Sequence, residues 1–309
     1  VKQLKKNIKF LKKNKIKNIC IDTEGAQVRT QFIKKKILLK KNKVIKLSNL
    51  DKSCKEYINL YPKFKLSSVK KNSKIKIGFD GLELKVTQKY NKFIKCKVLK
   101  SGYIEANKGV HFDKGIKLSP LTTKDIKAIK VAKYYEVKIF ALSFANSSKD
   151  VKYARSFLEK NDQLISKIES RKGFQNRKSI TNLSDAILID RGDLSRYINI
   201  SKIPLAQRIL IYEAKKIGKK VYVATNLLET MINSAEPTRA ESNDIFSSLE
   251  SGCSGLVLAA ETAIGKYPVE CVMFLKKCLN AYYSKKKLIN NTNNFFKKNQ
   301  IFLKIAFIL

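Results

Sequence analysis

Residues 186–225 read AILIDRGDLSRYINISKIPLAQRILIYEAKKIGKKVYVAT, and this stretch decides the fold. Ala186 to Ile189 is a short apolar run that ends in charge at Arg191-Gly192-Asp193. Residues 204–217 carry apolar positions at helical spacing, and Lys220 to Ala224 is a second strand-like run that stops at Thr225. Two buried strands joined by a helical crossover pair in parallel, with helices covering the sheet. Outward from here the pattern repeats. Strands are expected at Val137 to Phe144, Gln163 to Ile168 and Gly255 to Ala259, with helices over 123–134, 148–160, 171–181 and 238–251. Gly173 and its polar neighbours interrupt the third of these helices. Nearer the start, Leu4, Ile8 and Leu11 mark a helix, and Ile16 to Ile21 a strand that ends at Asp22-Thr23-Glu24-Gly25.

Between residues 28 and 110 the texture changes. Short β-branched runs at Lys43 to Leu47, Lys74 to Phe79, Leu82 to Thr87 and Phe93 to Leu99 are broken by turn signals at Asp80-Gly81 and Ser101-Gly102. This predicts a small all-β domain inserted in the α/β chain. Charged and small polar residues cluster where the α/β strands finish: Lys167, Glu169, Arg191-Gly192-Asp193, Thr225 and Glu261-Thr262. In a (β/α)8 barrel the functional face lies at those carboxyl ends. The expected fold is therefore α/β, a TIM-barrel core with an inserted small all-β domain.

Composition narrows the function classes. The formal net charge is +40, but only 8 of the 65 basic residues are arginine. Arginine is the better bidentate reader of phosphates and base edges, so a diffuse lysine excess predicts nonspecific stickiness to polyanions rather than specific nucleic-acid binding. Cys20, Cys54, Cys96, Cys253, Cys271 and Cys278 form no CxxC pair, and the chain has one histidine. That excludes the usual zinc spacings and gives no disulfide framework, which points to a reducing, cytoplasmic setting. No apolar run reaches transmembrane length, and the lysine-rich start has no signal-peptide core. No membrane partner is expected.

Six ordered motifs resemble the pyruvate kinase family. Residues 21–30, IDTEGAQVRT, resemble the family's LDTKGPEIRT; residues 166–169 are its SKIE; residues 191–194 its RGDL. ATNLLE at 224–229 resembles ATQMLE, PTRAE at 237–241 is the full family motif, and Glu261-Thr262-Ala263 with Gly265, Tyr267 and Pro268 resembles ETAxGxYP. The resemblance implies a barrel domain over 1–27 and 111–282, a lid over 28–110 and a Lys/Asn-rich tail over 283–309. It implies phosphoryl transfer from phosphoenolpyruvate to ADP, giving pyruvate and ATP, with Mg²⁺ and K⁺. Glu169 and Asp193 are hard oxygen ligands suited to magnesium. Lys167, two residues before Glu169 on a strand, shares its side and would stabilise charge on the phosphoryl group and the enolate. Thr225 would bind the carboxylate or help protonate the enolate, with Gly192 admitting the substrate to backbone amides. Arg29 and Lys108 would meet the nucleotide and transferring phosphates, and Asp22 and Thr23 match the family's potassium residues.

The chain also departs from the family. Glu24 stands for a lysine, Ala26 and Gln27 for proline and glutamate, Asn146 for an arginine, Asp190 for an alanine and Ser195 for a glycine. Ala259 or Ala260 takes the place of a serine. Glu24 and Asp190 add negative charge where phosphates must bind, worth about 1 kcal/mol each if unscreened. The family's first two barrel strands and its C-terminal domain have no counterpart, which leaves six strands with unpaired edges and no allosteric site. An exposed apolar run from Ile301 to Leu309 would invite homo-oligomer formation. Two other readings stay open. One is a related magnesium enzyme for another enolpyruvate or 2-oxo acid; the other is an inactive relic or polyanion-binding scaffold.

Overall fold

The computed structural model describes residues 2–290 and 306–308, apart from 51, 52, 55, 79, 80 and 115. The expected strand end at Phe79, the Asp80 turn position and most of the apolar run from Ile301 lie outside the described residues. The chain divides into two compact units, Val1–Gly25 with Thr123–Leu309, and Ala26–Thr122. Strand β1 (Ile19–Asp22) belongs to the larger unit. The smaller unit follows with β2 (Val28–Gln31), β3 (Ile37–Leu39), β4 (Val44–Ser48), β5 (Ile58–Tyr61), β6 (Lys74–Ile77), β7 (Leu82–Lys89), β8 (Ile94–Lys100), β9 (Gly102–Ile104) and β10 (Gly109–Phe112). The chain returns to the larger unit with β11 (Ile139–Leu142), β12 (Gln163–Ile168), β13 (Ala186–Asp190), β14 (Lys220–Ala224), β15 (Gly255–Val257) and β16 (Ala306–Ile308).

The larger unit is a curled, parallel, TIM-barrel-type sheet in the order β15-β14-β13-β12-β11-β1-β16. Every residue of β13 is buried, as is all of β12 beyond Gln163. That is why these strands read as continuous apolar runs rather than alternating ones. Cys20, Ala141, Ile165, Ala186, Leu188 and Ala224 pack together from five adjacent strands. Register aligns the strand ends: Lys167 faces Leu188, Asp190 faces Ala224, and Asp22 faces Ala141.

Caps fix where the crossover helices begin. Ser147 accepts from Asp150 N, Ser170 accepts from Gly173 N, and Thr238 with Glu241 forms a reciprocal capping box. A Cβ on Gly173 would stand 2.6 Å from Ala145 O, so glycine there permits a close approach to the end of the neighbouring strand's loop.

Several expectations need correction. The helix expected over 148–160 ends at Arg155, and the one expected over 171–181 is two helices, Arg171–Gln175 and Arg177–Leu183, broken at Asn176. The last long helix runs Pro268–Asn290, beyond the boundary drawn at 282. Within the expected tail, β16 pairs in parallel with β1, so the sheet has seven strands among the described residues, not six, and the β1 edge is covered. No helix among the described residues is long and apolar enough to cross a membrane.

The smaller unit is a closed barrel in the order β10-β2-β5-β4-β8-β7-β6, sealed where β10 pairs with β6. Its strands alternate, with Leu82, Leu84 and Val86 buried and Glu83, Lys85 and Thr87 half-exposed. Leu47, Leu60, Ile75, Ile77, Ile94 and Val98 form its core with these three. Closure leaves the seven strands without a free edge.

Candidate active site at the strand ends

Lys167 is the centre of the cluster. Its side chain leaves β12 on the same side as Glu169, as the two-residue strand period requires. Lys167 Nζ lies 2.9 Å from Asp22 Oδ2 and 3.1 Å from Glu169 Oε1, with Asp190 Oδ2 at 3.9 Å. Three strand ends therefore supply the carboxylates around one ammonium. All of this is nearly dry: Lys167 is 8% exposed, Glu169 1% and Asp190 9%. Glu169 Oε2 also accepts from Phe144 N at 2.5 Å, at the end of β11.

One oxygen each from Glu169, Asp190 and Asp193 lies within 4.8 Å of the others. Such a set of hard oxygens fits a divalent cation such as magnesium. Its electrostatics fit as well. Burial, opposed by Lys167 and reinforced by Asp190, Asp193 and Asp22, raises the Glu169 carboxyl to about 8. Burial works against the Lys167 charge, but Asp22, Glu169 and Asp190 outweigh it and hold the ammonium well above its ordinary range. Asp193 further pairs with Arg196 at 3.3 Å.

Thr225 follows β14 in the left-handed region, φ 68°, with Asn226 next at 53°. A β-branched residue is strained there. Arg191 holds the position: its Nε and Nη2 donate to Thr225 O at 3.1 and 2.6 Å, and its Nη1 pairs with Asp244 at 2.6 Å. Thr225 Oγ1 accepts from Gly192 N at 2.8 Å. Its one proton can go to Ala224 O at 2.6 Å or to Asp190 Oδ1 at 3.2 Å. Asp190 Oδ1 also accepts from Asp193 N at 3.2 Å, capping the short helix Arg191–Leu194.

Asp22 and Thr23 sit at the end of β1. Asp22 Oδ1 accepts from Ser143 Oγ at 2.9 Å, and Thr23 Oγ1 accepts from Ser143 N at 3.0 Å. These oxygens suit a monovalent cation in kind. Glu24, expected to burden the site with negative charge, is paired with Lys124 on the helix Thr123–Tyr134. Asn146 is tied into local structure: it donates to Phe144 O at 2.8 Å and accepts from Ser170 Oγ at 2.5 Å.

In the smaller unit, Arg29 lies on β2 in register with Gly109 of β10, so Arg29 and Lys108 are neighbours. Arg29 Nε is buried with no hydrogen-bond partner among the described residues. Lys108 Nζ pairs with Glu105 Oε1 at 2.9 Å.

The sequence brought Lys167, Glu169, Asp193, Gly192 and Thr225 to light, and the structure gathers these five in the larger unit. Asp190 and Ser143 were not read as members of this cluster, and Arg191 was named only within its motif. Asp190 figured only as an added charge, although its place at a strand end beside Arg191-Gly192-Asp193 was a signal. Arg191 acts on the Thr225 backbone, which its motif does not reveal, and Ser143, which meets Asp22 and Thr23, left no side-chain pattern to find. Glu261, 1% exposed, was placed at a strand end by its position; its carboxylate receives Leu228 N at 3.1 Å and Ala259 N at 2.8 Å and so binds two loops together.

Fold and cluster together define an α/β barrel protein with a lysine-centred acidic site at the carboxyl ends of its strands. The family model for the pyruvate kinase barrel domain matches residues 1–272, and the chain belongs to that family. It is 34% identical over 275 residues to a pyruvate kinase of Thermotoga maritima, covering 86% of this chain and 58% of that protein. A pyruvate kinase of Pyrobaculum aerophilum is 32% identical over 298 residues, covering 94% of this chain and 64% of the relative. That of Methanocaldococcus jannaschii is 33% identical over 276 residues, 88% of this chain and 60% of the relative. The chain thus spans less than two thirds of the length of these relatives.

Proposed function

We propose that the chain transfers a phosphoryl group from phosphoenolpyruvate to ADP, giving pyruvate and ATP. The observation that carries this reading is the buried Lys167 ammonium held beside Glu169, with Asp193 close enough to share one cation with Glu169. Phosphoryl transfer asks chiefly for positioning and for neutralised charge on the moving group. Glu169 and Asp193 would hold Mg²⁺, which when bound supplies positive charge to the oxygens of the acid and the phosphoryl group. Lys167 would stabilise negative charge on the phosphoryl oxygens and then on the enolate. The Thr225 hydroxyl would orient the carboxylate or carry a proton toward the enolate carbon, and Gly192 leaves room for the substrate beside it. Asp22 and Thr23 would serve K⁺. Arg29 and Lys108, cationic neighbours on the smaller barrel, would take nucleotide phosphate.

The test is ADP-dependent pyruvate formation in a coupled assay with Mg²⁺ and K⁺. Turnover is expected to fall at least 100-fold in Lys167→Ala. Wild-type turnover no faster than that of the variant would end the reading. Asp190 favours a second one, a related magnesium enzyme for a different enolpyruvate or 2-oxo acid. Tight pyruvate or oxalate binding without ADP-dependent turnover would support that alternative.

A further inference from the structure

We propose that Asp190 is a specificity-determining residue: its negative charge, beside Thr225 and Lys167 where the substrate carboxylate would lie, weakens the binding of a small acid and strengthens that of a divalent cation. The inference rests on the function proposed above, which gives Thr225, Gly192 and Lys167 to an acid substrate. In the structure these groups already face a carboxylate of the chain. Asp190 Oδ1 is 3.2 Å from Thr225 Oγ1, and Asp190 Oδ2 is 3.9 Å from Lys167 Nζ. The space over Gly192 is bounded by the same atoms: a Cβ built there would stand 3.4 Å from Thr225 Oγ1 and 3.5 Å from Asp190 Oδ1. An incoming carboxylate would have to displace Asp190 or lie beside it.

Charge points the same way. Asp22, Glu169 and Asp190 all lean on one ammonium, and Asp193 is within the same acidic group. Four carboxyl groups stand against two cations, Lys167 and the Arg196 that pairs with Asp193, so a divalent cation relieves the crowding and another carboxylate adds to it. Asp190 also caps the short helix Arg191–Leu194, but that task does not need a charge, since asparagine caps as well. The two roles can therefore be separated. Asp190→Asn keeps an acceptor for Asp193 N and removes the negative charge, while Asp190→Ala removes both.

The experiment is calorimetry on the 309-residue chain. Mn²⁺ is titrated alone, then oxalate is titrated in saturating Mn²⁺, for wild type, Asp190→Asn and Asp190→Ala, each checked for folding by circular dichroism. Oxalate is expected to bind at least 10-fold more tightly to Asp190→Asn than to wild type, and Mn²⁺ alone at least threefold more weakly. Should Asp190→Ala fail to fold, Asp190→Asn decides. Oxalate binding to wild type that stays within twofold in the variants overturns the role of Asp190 and leaves the proposed function standing. No oxalate binding in any of the three proteins, with Mn²⁺ bound, overturns the proposed function and this inference with it.

Discussion

The two units bury polar groups in opposite ways. In the larger one, Lys167, Glu169, Asp190, Arg191 and Glu261 are all at most 9% exposed, and their charges are met mainly across strand ends. Among the described residues of the smaller one, the buried polar residues are Gln27, Thr30, Ser48, Asn59, Ser73, His111 and Thr122, with no carboxylate or ammonium among them. Thr30 and Ser48 are satisfied by nearby carbonyls, Thr30 by Glu105 O and Ser48 by Lys92 O, each at 2.6 Å. A closed barrel of alternating strands can be filled with apolar side chains and needs nothing more. A dry cluster of charges gives little net stability for its desolvation cost, so the fold alone does not account for it, and it is the region to which the proposed function assigns its chemistry.

The sharpest way to break this contrast is to remove one charge from each unit. Lys167→Ala leaves the buried Asp22 carboxylate without its ammonium and is expected to cost about 3–5 kcal/mol in urea unfolding without divalent ions. Lys46→Ala, which deletes an exposed pair with Glu56 on the smaller barrel, should leave the urea midpoint where it was. Equal effects would dissolve the distinction. A second measurement follows the Glu169 proton. With its carboxyl near 8 when folded and near 4.5 when unfolded, the folded chain holds more protons between those values. Its contribution to stability is full at low pH, falls as pH rises from 4.5 to 8 by up to about 1.4 kcal/mol per unit, and is lost above 8. Comparing wild type with Glu169→Gln by urea unfolding at pH 5, 6, 7 and 8 isolates that slope; a flat difference would contradict it. A smaller loss than that of Lys167 belongs to ordinary packing. Ile94→Val in the smaller barrel, fully buried, should cost about 1 kcal/mol by the same method.

What the sequence made legible follows from the same division. Residues 163–168 and 220–224 were read to the residue, because strands buried on both faces form sharp apolar blocks bounded by polar ones. Val28–Gln31, Ile58–Tyr61 and Gly109–Phe112 were not drawn as strands. They are four residues long, and barrel closure rather than local pattern makes them strands. The break at Asn176 was misplaced at Gly173, since Gly173 serves a close approach to Ala145 and not a helix end. At the site, Lys167 and Glu169 announce themselves by spacing on one strand. The pairing of Glu24 with Lys124, and of Lys167 with Asp22, joins residues more than ninety positions apart, and only the folded sheet brings them together.

The fork of Arg191 ties Thr225 to Asp244, a residue on the flanking helix Arg239–Glu250 whose side chain is 36% exposed. A lesion at Asp244 would slacken that tether and let the twisted backbone at Thr225 unwind. A change at the protein's surface would then be felt at the strand ends, among residues it does not touch.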